Sequence, residues 1–143
     1  MTPSTAGPRL PAAPPRLSAL TEHYFRTLPC CGSWPAGTAR LCSGRAGSTE
    51  SGTLVQFSLL CDADGGVLEA RFRAFGCPHV LAVCAWLAEQ LPGRSLAALI
   101  SERPSVWAAQ FTVPAEKLGR LLVIEDALLD CAASGLHRAH KKP

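Results

Sequence analysis

Residues 69–79 read EARFRAFGCPH, a stretch in which apolar and charged side chains alternate up to Gly76. Alternation with a period of two residues is typical of a β-strand with one buried face. The apolar run VLAVCAWLAEQL (80–91) follows at once and predicts a helix. Proline suits the first helical position because its missing N–H would have no partner there. The stretch therefore predicts a strand, a tight corner and a helix, with Cys77 at or beside the helix N-cap.

This position gives Cys77 a particular chemical environment. The free backbone N–H groups and the dipole at a helix N-terminus favour a thiolate, which is the form that binds metals and attacks sulfur. Three interpretations stay open. Cys77 is a small buried structural residue, a sulfur acceptor or other nucleophile, or one ligand of a changed metal site.

The preceding segments predict two paired strands. Residues 54–60 (LVQFSLL) form the first clear strand, and DADGG (62–66) has the chemistry of a hairpin turn. Residues 67–75 return as the antiparallel partner, with Leu68, Ala70, Phe72 and Ala74 expected to face the core. Residues 29–53 are rich in glycine, serine and cysteine, and we expect a loop there with at most short strands.

Helices precede and follow these strands. Residues 17–28 predict a short helix that Ser18 caps and Pro29 ends, and Ser95 caps a second short helix over 96–101. Residues 106–111 are expected to be a helical turn or an extended segment. A last helix covers 118–133 and is expected to end at Gly135. Its predicted buried face consists of Leu121, Leu122, Ile124, Ala127, Leu128 and Cys131. We expect an α+β fold in which an antiparallel three-stranded sheet is packed by helices on one face.

The length of 143 residues predicts one domain over 17–135. Residues 1–16, rich in proline and alanine, predict a disordered leader, and residues 136–143 predict a basic tail. The net charge of +3 collects at the two ends, so we expect no nucleic-acid partner. We see neither an apolar run of bilayer length nor a signal peptide, and expect no membrane partner. The expected compartment is the cytoplasm, where the seven cysteines are thiols or ligands and not disulfides.

Several short sequence motifs follow one another along the chain in a set order. They are His23-Tyr24, Gly32-Ser33, Gly65, the stretch 69–77, Gly93-Arg94-Ser95-Leu96 and Glu125-Asp126-Ala127. In this order and spacing, over residues 18–133, the chain resembles the U-type iron–sulfur cluster assembly scaffold family, that is, the IscU and NifU N-terminal family. The resemblance implies the scaffold fold and a place in iron–sulfur cluster assembly.

The resemblance also implies which residues match the family's cluster ligands, three cysteines helped by a histidine and an aspartate. The word with the first cysteine and the aspartate matches Glu50 to Thr53, so Ser51 and Thr53 stand at these two positions. The second cysteine matches Cys77. Gly119 and Arg120 stand where the family has the histidine and the third cysteine.

The ligand set implied for this chain is therefore incomplete. An iron–sulfur cluster normally takes four protein ligands, mostly thiolates, and zinc takes four cysteine, histidine or carboxylate ligands. Cys42 and His79 are the candidates for additional ligands to an iron–sulfur cluster or zinc. If the resemblance places Arg120 correctly, its guanidinium points into the same pocket as Cys77 and lowers the thiol pKa.

The expected function is that of a scaffold-like protein with a degenerate ligand site, accessory or regulatory in cluster assembly, and not an enzyme. Its expected partner is a cysteine desulfurase or another assembly protein. Two alternatives stay open. One is a non-catalytic interaction module on the scaffold fold, and the other is a variant zinc or thiol site centred on Cys77.

Overall fold

The computed structural model describes residues 17–99 and 103–140, with side chains described as far as Gly135. The predicted leader (1–16) and the last three residues of the predicted tail lie outside the described residues. The elements are α1 (Ala19–Thr27), β1 (Leu41–Ser48), β2 (Thr53–Cys61), β3 (Val67–Phe75), α2 (Pro78–Gln90), α3 (Leu96–Leu99), α4 (Pro104–Phe111), a 3-10 turn (Ala115–Lys117) and α5 (Leu118–His140).

In this part of the chain, the strands form one antiparallel sheet in the order β1-β2-β3. Alternate residues of β2 are buried, and Val55, Phe57 and Leu59 are completely inaccessible to solvent. Helix α5 packs on β1 and β2, and α2 packs on β3. The predicted α+β fold, with a three-stranded antiparallel sheet and helices on one face, is confirmed.

Strand β1 lies in the region for which we expected a loop with at most short strands, and that expectation is wrong. The strand is rich in small residues because α5 lies very close to it. A Cβ atom added to Gly44 would lie 2.2 Å from the backbone nitrogen of Cys131 and 2.4 Å from the carbonyl oxygen of Ala127. Gly44 therefore reflects a tight contact between helix and strand.

Strand β3 is interrupted by a bulge at Leu68. Leu60 pairs with Glu69 while Cys61 pairs with Val67, so Leu68 has no partner on β2. An extra residue on one strand shifts the alternation of side chains by one. Val67 is buried and Leu68 is 56% exposed, so the expectation that Leu68 faces the core is wrong. Ala70 and Phe72 are buried, as predicted.

The two helix caps predicted from the sequence, Ser18 and Ser95, are present in the structure. Ser18 Oγ accepts a hydrogen bond from the Thr21 N–H at 3.1 Å, which confirms Ser18 as the N-cap of α1. Ser95 Oγ accepts one from the Ala98 N–H at 3.2 Å at the start of α3. Residues 106–111, left open between a turn and an extended segment, belong to α4.

Helix α5 does not end at Gly135 but continues to His140. Gly135 is buried inside the helix, and a Cβ there would lie 2.3 Å from Leu96 Cδ1 and 2.8 Å from Cys42 Sγ. A methyl group at this position would push the Leu96 and Cys42 side chains aside, so Gly135 serves close packing and does not act as a stop signal. The predicted buried face is correct except for Leu122, which is 52% exposed because it lies outside the stripe that faces the sheet. None of the described helices is both long and apolar enough to cross a bilayer.

Candidate functional site

Cys77 is the N-cap of α2, with φ −79° and ψ 167°, and Pro78 is the first helical residue. This confirms the predicted strand, corner and helix. The Cys77 side chain forms no regular capping hydrogen bond. Its sulfur nevertheless lies near the N–H groups of Val80 and His79 and within hydrogen-bonding reach of the Arg120 guanidinium. The thiol therefore lies where the N-terminus of α2 meets the first turn of α5.

These neighbours set the protonation of the thiol. Partial burial of Cys77 raises its pKa, because desolvation disfavours the thiolate. The N–H of Val80, the guanidinium of Arg120 and the N–H of His79 act in the opposite direction and outweigh burial, so the net pKa of Cys77 lies below its usual value. Lower pKa and partial exposure are the properties of a reactive cysteine.

Gly119 and Arg120 lie in the first turn of α5. Arg120 is exposed to solvent, and its guanidinium supplies the positive charge beside Cys77. Gly119 is exposed, and a Cβ added there would have no atom within 4 Å. The backbone at this position therefore accepts a larger side chain without a clash.

Ser51 lies in the turn between β1 and β2, at the end of the sheet where Leu54 pairs with Phe75. Its hydroxyl donates to the Ser48 carbonyl at 2.9 Å, and its N–H donates to Ser48 Oγ at 3.1 Å. Ser51 therefore stabilises the turn. Thr53 is buried, with 4% of its surface exposed, at the start of β2.

His79 is 7% exposed, and its Nδ1 atom is buried with no hydrogen-bond partner. Burial lowers the pKa of His79, and the nearby charges of Lys117 and Arg120 lower it further. The imidazole is thus kept neutral next to two cations. Lys117 lies three residues before Arg120, where the 3-10 turn leads into α5, so the two cations lie close together on one side of the helix start.

Cys42 is not brought to this site. Cys42 pairs with Leu59 of β2, whereas Phe75, two residues before Cys77, pairs with Leu54. Leu59 and Leu54 are five residues apart, which corresponds to about 17 Å along the strand. The Cys42 side chain is buried against α5, where its sulfur lies close to Gly135. Its proposed role as an additional ligand is therefore wrong, since a strand that runs away from the corner carries it to the far end.

In the part of the chain that the structure describes, no three histidine, cysteine, aspartate or glutamate side chains are grouped so that they could hold a metal ion. Cys84 and Cys131 are completely buried, and burial raises the pKa of both thiols. Both are packing residues of the core. Among the described residues, Cys77 is therefore not joined by two further histidine, cysteine, aspartate or glutamate side chains placed to share a metal ion with it.

The fold and the site define a small α+β domain in which Cys77 lies at a strand–helix corner beside Arg120. The model of the NifU-like N-terminal domain family matches residues 31–140. The chain belongs to that family.

The relatives of this chain carry names from iron–sulfur cluster assembly. "Iron-sulfur cluster assembly protein 3" of Arabidopsis thaliana is 25% identical over 97 residues, which cover 68% of this chain and 57% of that protein. "Iron sulfur cluster assembly protein 1, mitochondrial" of Yarrowia lipolytica is 27% identical over 86 residues, or 60% of this chain and 48% of the relative. "Iron-sulfur cluster assembly scaffold protein IscU" of Haemophilus influenzae is 26% identical over 86 residues, 60% of this chain and 68% of that protein.

This chain spans about half to three fifths of the length of the first two relatives. Among solved structures, the iron–sulfur cluster assembly scaffold protein described as putative for the SUF system of Fervidobacterium islandicum aligns with a TM-score of 0.57 at 16% identity. The alignment covers 78% of this chain and 92% of that one. At this identity the likeness shows the shared fold.

Proposed function

We propose that this chain takes part in iron–sulfur cluster assembly as an accessory protein whose ligand site is degenerate. It carries sulfur on Cys77 and does not itself hold a finished cluster. We further propose that it acts in the cytoplasm with a cysteine desulfurase or another assembly protein, and that it is not an enzyme.

One observation carries this proposal, namely the placement of the Arg120 guanidinium beside the Cys77 sulfur. A guanidinium is permanently protonated and has no lone pair for a metal. A positive charge beside the sulfur repels a metal cation but stabilises a thiolate. The same pair of residues that disfavours iron therefore favours nucleophilic sulfur chemistry.

The sulfur step is a simple exchange. The Cys77 thiolate attacks the outer sulfur of a cysteine persulfide on the partner, and the sulfur–sulfur bond of that persulfide breaks as a new one forms to Cys77. The partner cysteine leaves as a thiolate, and the transferred sulfur keeps its proton. No external oxidant or reductant is needed.

The experiment combines two measurements on the full chain. The first is anaerobic reconstitution with iron and sulfide, for which we expect no iron–sulfur absorption. The second is incubation with a cysteine desulfurase and free cysteine, followed by mass spectrometry, for which we expect one added sulfur atom on Cys77. Cys77→Ser is expected to abolish the adduct, and Cys31→Ser, which changes an exposed thiol elsewhere, is the matched control.

The other outcomes separate the alternatives. An iron–sulfur chromophore in the unmodified chain that disappears in Cys77→Ala would identify a true scaffold and overturn the proposal. Stoichiometric zinc that depends on Cys77 would identify a variant zinc site. Neither sulfur adduct nor metal, together with a stable complex with a desulfurase, would identify a non-catalytic interaction module.

A further inference from the structure

The face of the sheet opposite the helices carries a row of arginines. Antiparallel pairing places Arg45 of β1 opposite Gln56 of β2, and Gln56 opposite Arg73 of β3. Directly paired residues have side chains on the same face of a sheet. The flanking residues Gly44 and Phe57 are buried on the helix side, so this row lies on the open side. We call the row Arg45, Gln56 and Arg73 the arginine row.

One end of this open face is already covered. The segment before β1 pairs with the outer edge of β3, where the Gly32 N–H donates to the Phe72 carbonyl at 2.9 Å. The Trp34 indole then donates to the Ser58 carbonyl at 3.1 Å. The guanidinium of Arg71 stacks over the Trp34 ring, 4.2 Å from its centroid. This end is therefore filled by the chain itself.

The same segment holds the arginines in place. Arg71 Nη1 donates to the Ser33 carbonyl at 2.6 Å, and Arg73 Nη1 donates to Ser33 Oγ at 3.3 Å. A side chain that is already oriented loses less conformational entropy when it binds a partner. Arg45 and Arg73 are both exposed. Within the arginine row, Ser33 thus orients the Arg73 side chain, while both Arg73 and Arg45 stay exposed.

The next row toward Cys77 is apolar. Leu54 pairs with Phe75, which is 54% exposed and lies two residues before Cys77. A large exposed aromatic side chain beside arginines has the composition of a protein interface, where aromatic residues and arginine are enriched. The open face therefore changes from positive to apolar in the direction of the thiol.

We propose that this face is a docking surface for an acidic segment of a partner protein, with carboxylates on the arginine row and an apolar side chain against Leu54 and Phe75. Arginine binds carboxylates with paired, planar hydrogen bonds. The inference goes beyond the sulfur chemistry of Cys77 and does not depend on it, although a partner bound here would reach the end of the sheet that carries the thiol.

A single-stranded nucleic acid fits this face less well than a protein segment. Such ligands stack their bases on exposed aromatic faces along a continuous basic groove. Here Arg71 already covers a face of the Trp34 ring, and Glu69 lies on the open face, 3.6 Å from Arg71 Nε. The apolar row next to the arginine row suits a leucine or phenylalanine side chain of a peptide.

The test uses the full chain and a fluorescent peptide of about ten residues that alternates glutamate with leucine, at about 0.15 M salt. Fluorescence anisotropy gives the dissociation constant. The double variant R45E/R73E is expected to bind about tenfold more weakly or worse, because two attractive charges become repulsive. The control R26E/R103E makes the same change in net charge at exposed sites away from the sheet, and is expected to alter affinity less than about twofold.

Two more measurements locate the site. Amide chemical-shift changes on adding the peptide are expected at β2 and β3, and Phe75→Ala is expected to weaken binding about fivefold. Equal losses in the two double variants, shift changes away from the sheet, or no binding by the unmodified chain would overturn the proposal. Tighter binding of a single-stranded oligonucleotide than of the peptide, lost in R45E/R73E, would assign the face to nucleic acid instead.

Discussion

The guanidinium of Arg120 lies beside the sulfur of Cys77, so the first turn of α5 supplies a cation to the N-cap of α2. By the resemblance to the scaffold family, Arg120 occupies the position of a cluster-binding cysteine. The proposed degenerate site thus has, at this position, a residue that cannot bind a metal but stabilises a thiolate. This relationship is the basis of the first two predictions.

Replacing Arg120 by glutamine is expected to raise the pKa of Cys77, because the thiolate loses its nearest positive charge. The measurement is the rate of iodoacetamide alkylation at Cys77 against pH, followed by peptide mass spectrometry. In the unmodified chain the midpoint should lie below that of an ordinary cysteine. Arg26→Gln, which changes an arginine on α1, is the control. A midpoint that stays put in Arg120→Gln would contradict the assigned role of Arg120.

Restoring side chains at the family positions is expected to create a cluster site. The triple variant S51C/G119H/R120C would add two thiols and an imidazole at the positions that match the family's ligands, and Gly119 has open space for the new side chain. Four such ligands suffice for a cluster. Anaerobic reconstitution should then give iron–sulfur absorption, which we expect to be absent from the unmodified chain and to be removed by a further Cys77→Ala change. A colourless triple variant that is folded would show that these positions do not converge.

His79 is expected to make stability depend on pH. Its folded-state pKa is lowered from 6.5, so the unfolded chain binds a proton more readily than the native state as the pH falls through that value. The free energy of unfolding should therefore decrease with acidification below about pH 6.5.

The variant His79→Leu is expected to flatten this dependence and to stabilise the protein by about 1 kcal/mol or more under acidic conditions, since Nδ1 is buried without a partner. Urea unfolding at several pH values measures it. The exposed His23, changed to glutamine, serves as the control. Parallel pH curves for His79→Leu and the unmodified chain would refute the assignment.

Gly44→Ala is expected to be strongly destabilising, by about 3 kcal/mol or more, because the new methyl group would collide with the backbone of α5. Gly119→Ala is the matched control, since it adds the same methyl group on α5 at a position that faces open space. It should be neutral or stabilising by up to about 1 kcal/mol. Thermal unfolding distinguishes the two, and similar melting temperatures would show that the contact between β1 and α5 is looser than described.

Local sequence patterns were sufficient where one element decided the outcome. The alternation in 69–75, the Gly-Cys-Pro corner and the apolar run after it placed β3, Cys77 and α2 correctly. Ser18 was recognisable as a helix cap because capping is a contact over three residues. The family words added the correspondence of Ser51, Gly119 and Arg120 with ligand positions, which composition and periodicity do not carry.

Patterns failed where distant segments decide. Strand β1 resembles a loop in part because Gly44 lies against the backbone of α5, almost ninety residues later in the chain. Gly135 resembles a helix stop, yet it is a contact point with Leu96 and Cys42. Cys42 was a candidate ligand because it lies in the region expected to be the preceding loop, but the strand direction takes it to the opposite end of the sheet.

The sequence by itself determined the α+β class, the hairpin of β2 and β3, and Cys77 at a helix N-terminus, because these follow from periodicity and backbone chemistry within about twenty residues. The tertiary structure places Arg120 beside that thiol, which the sequence implied through the family resemblance. Only the tertiary structure decided that Cys42 lies far from the thiol, and that Arg45 and Arg73 share one row. Each of these depends on strand register or on how α5 packs against the sheet, and register and packing are set by burial of the whole core at once.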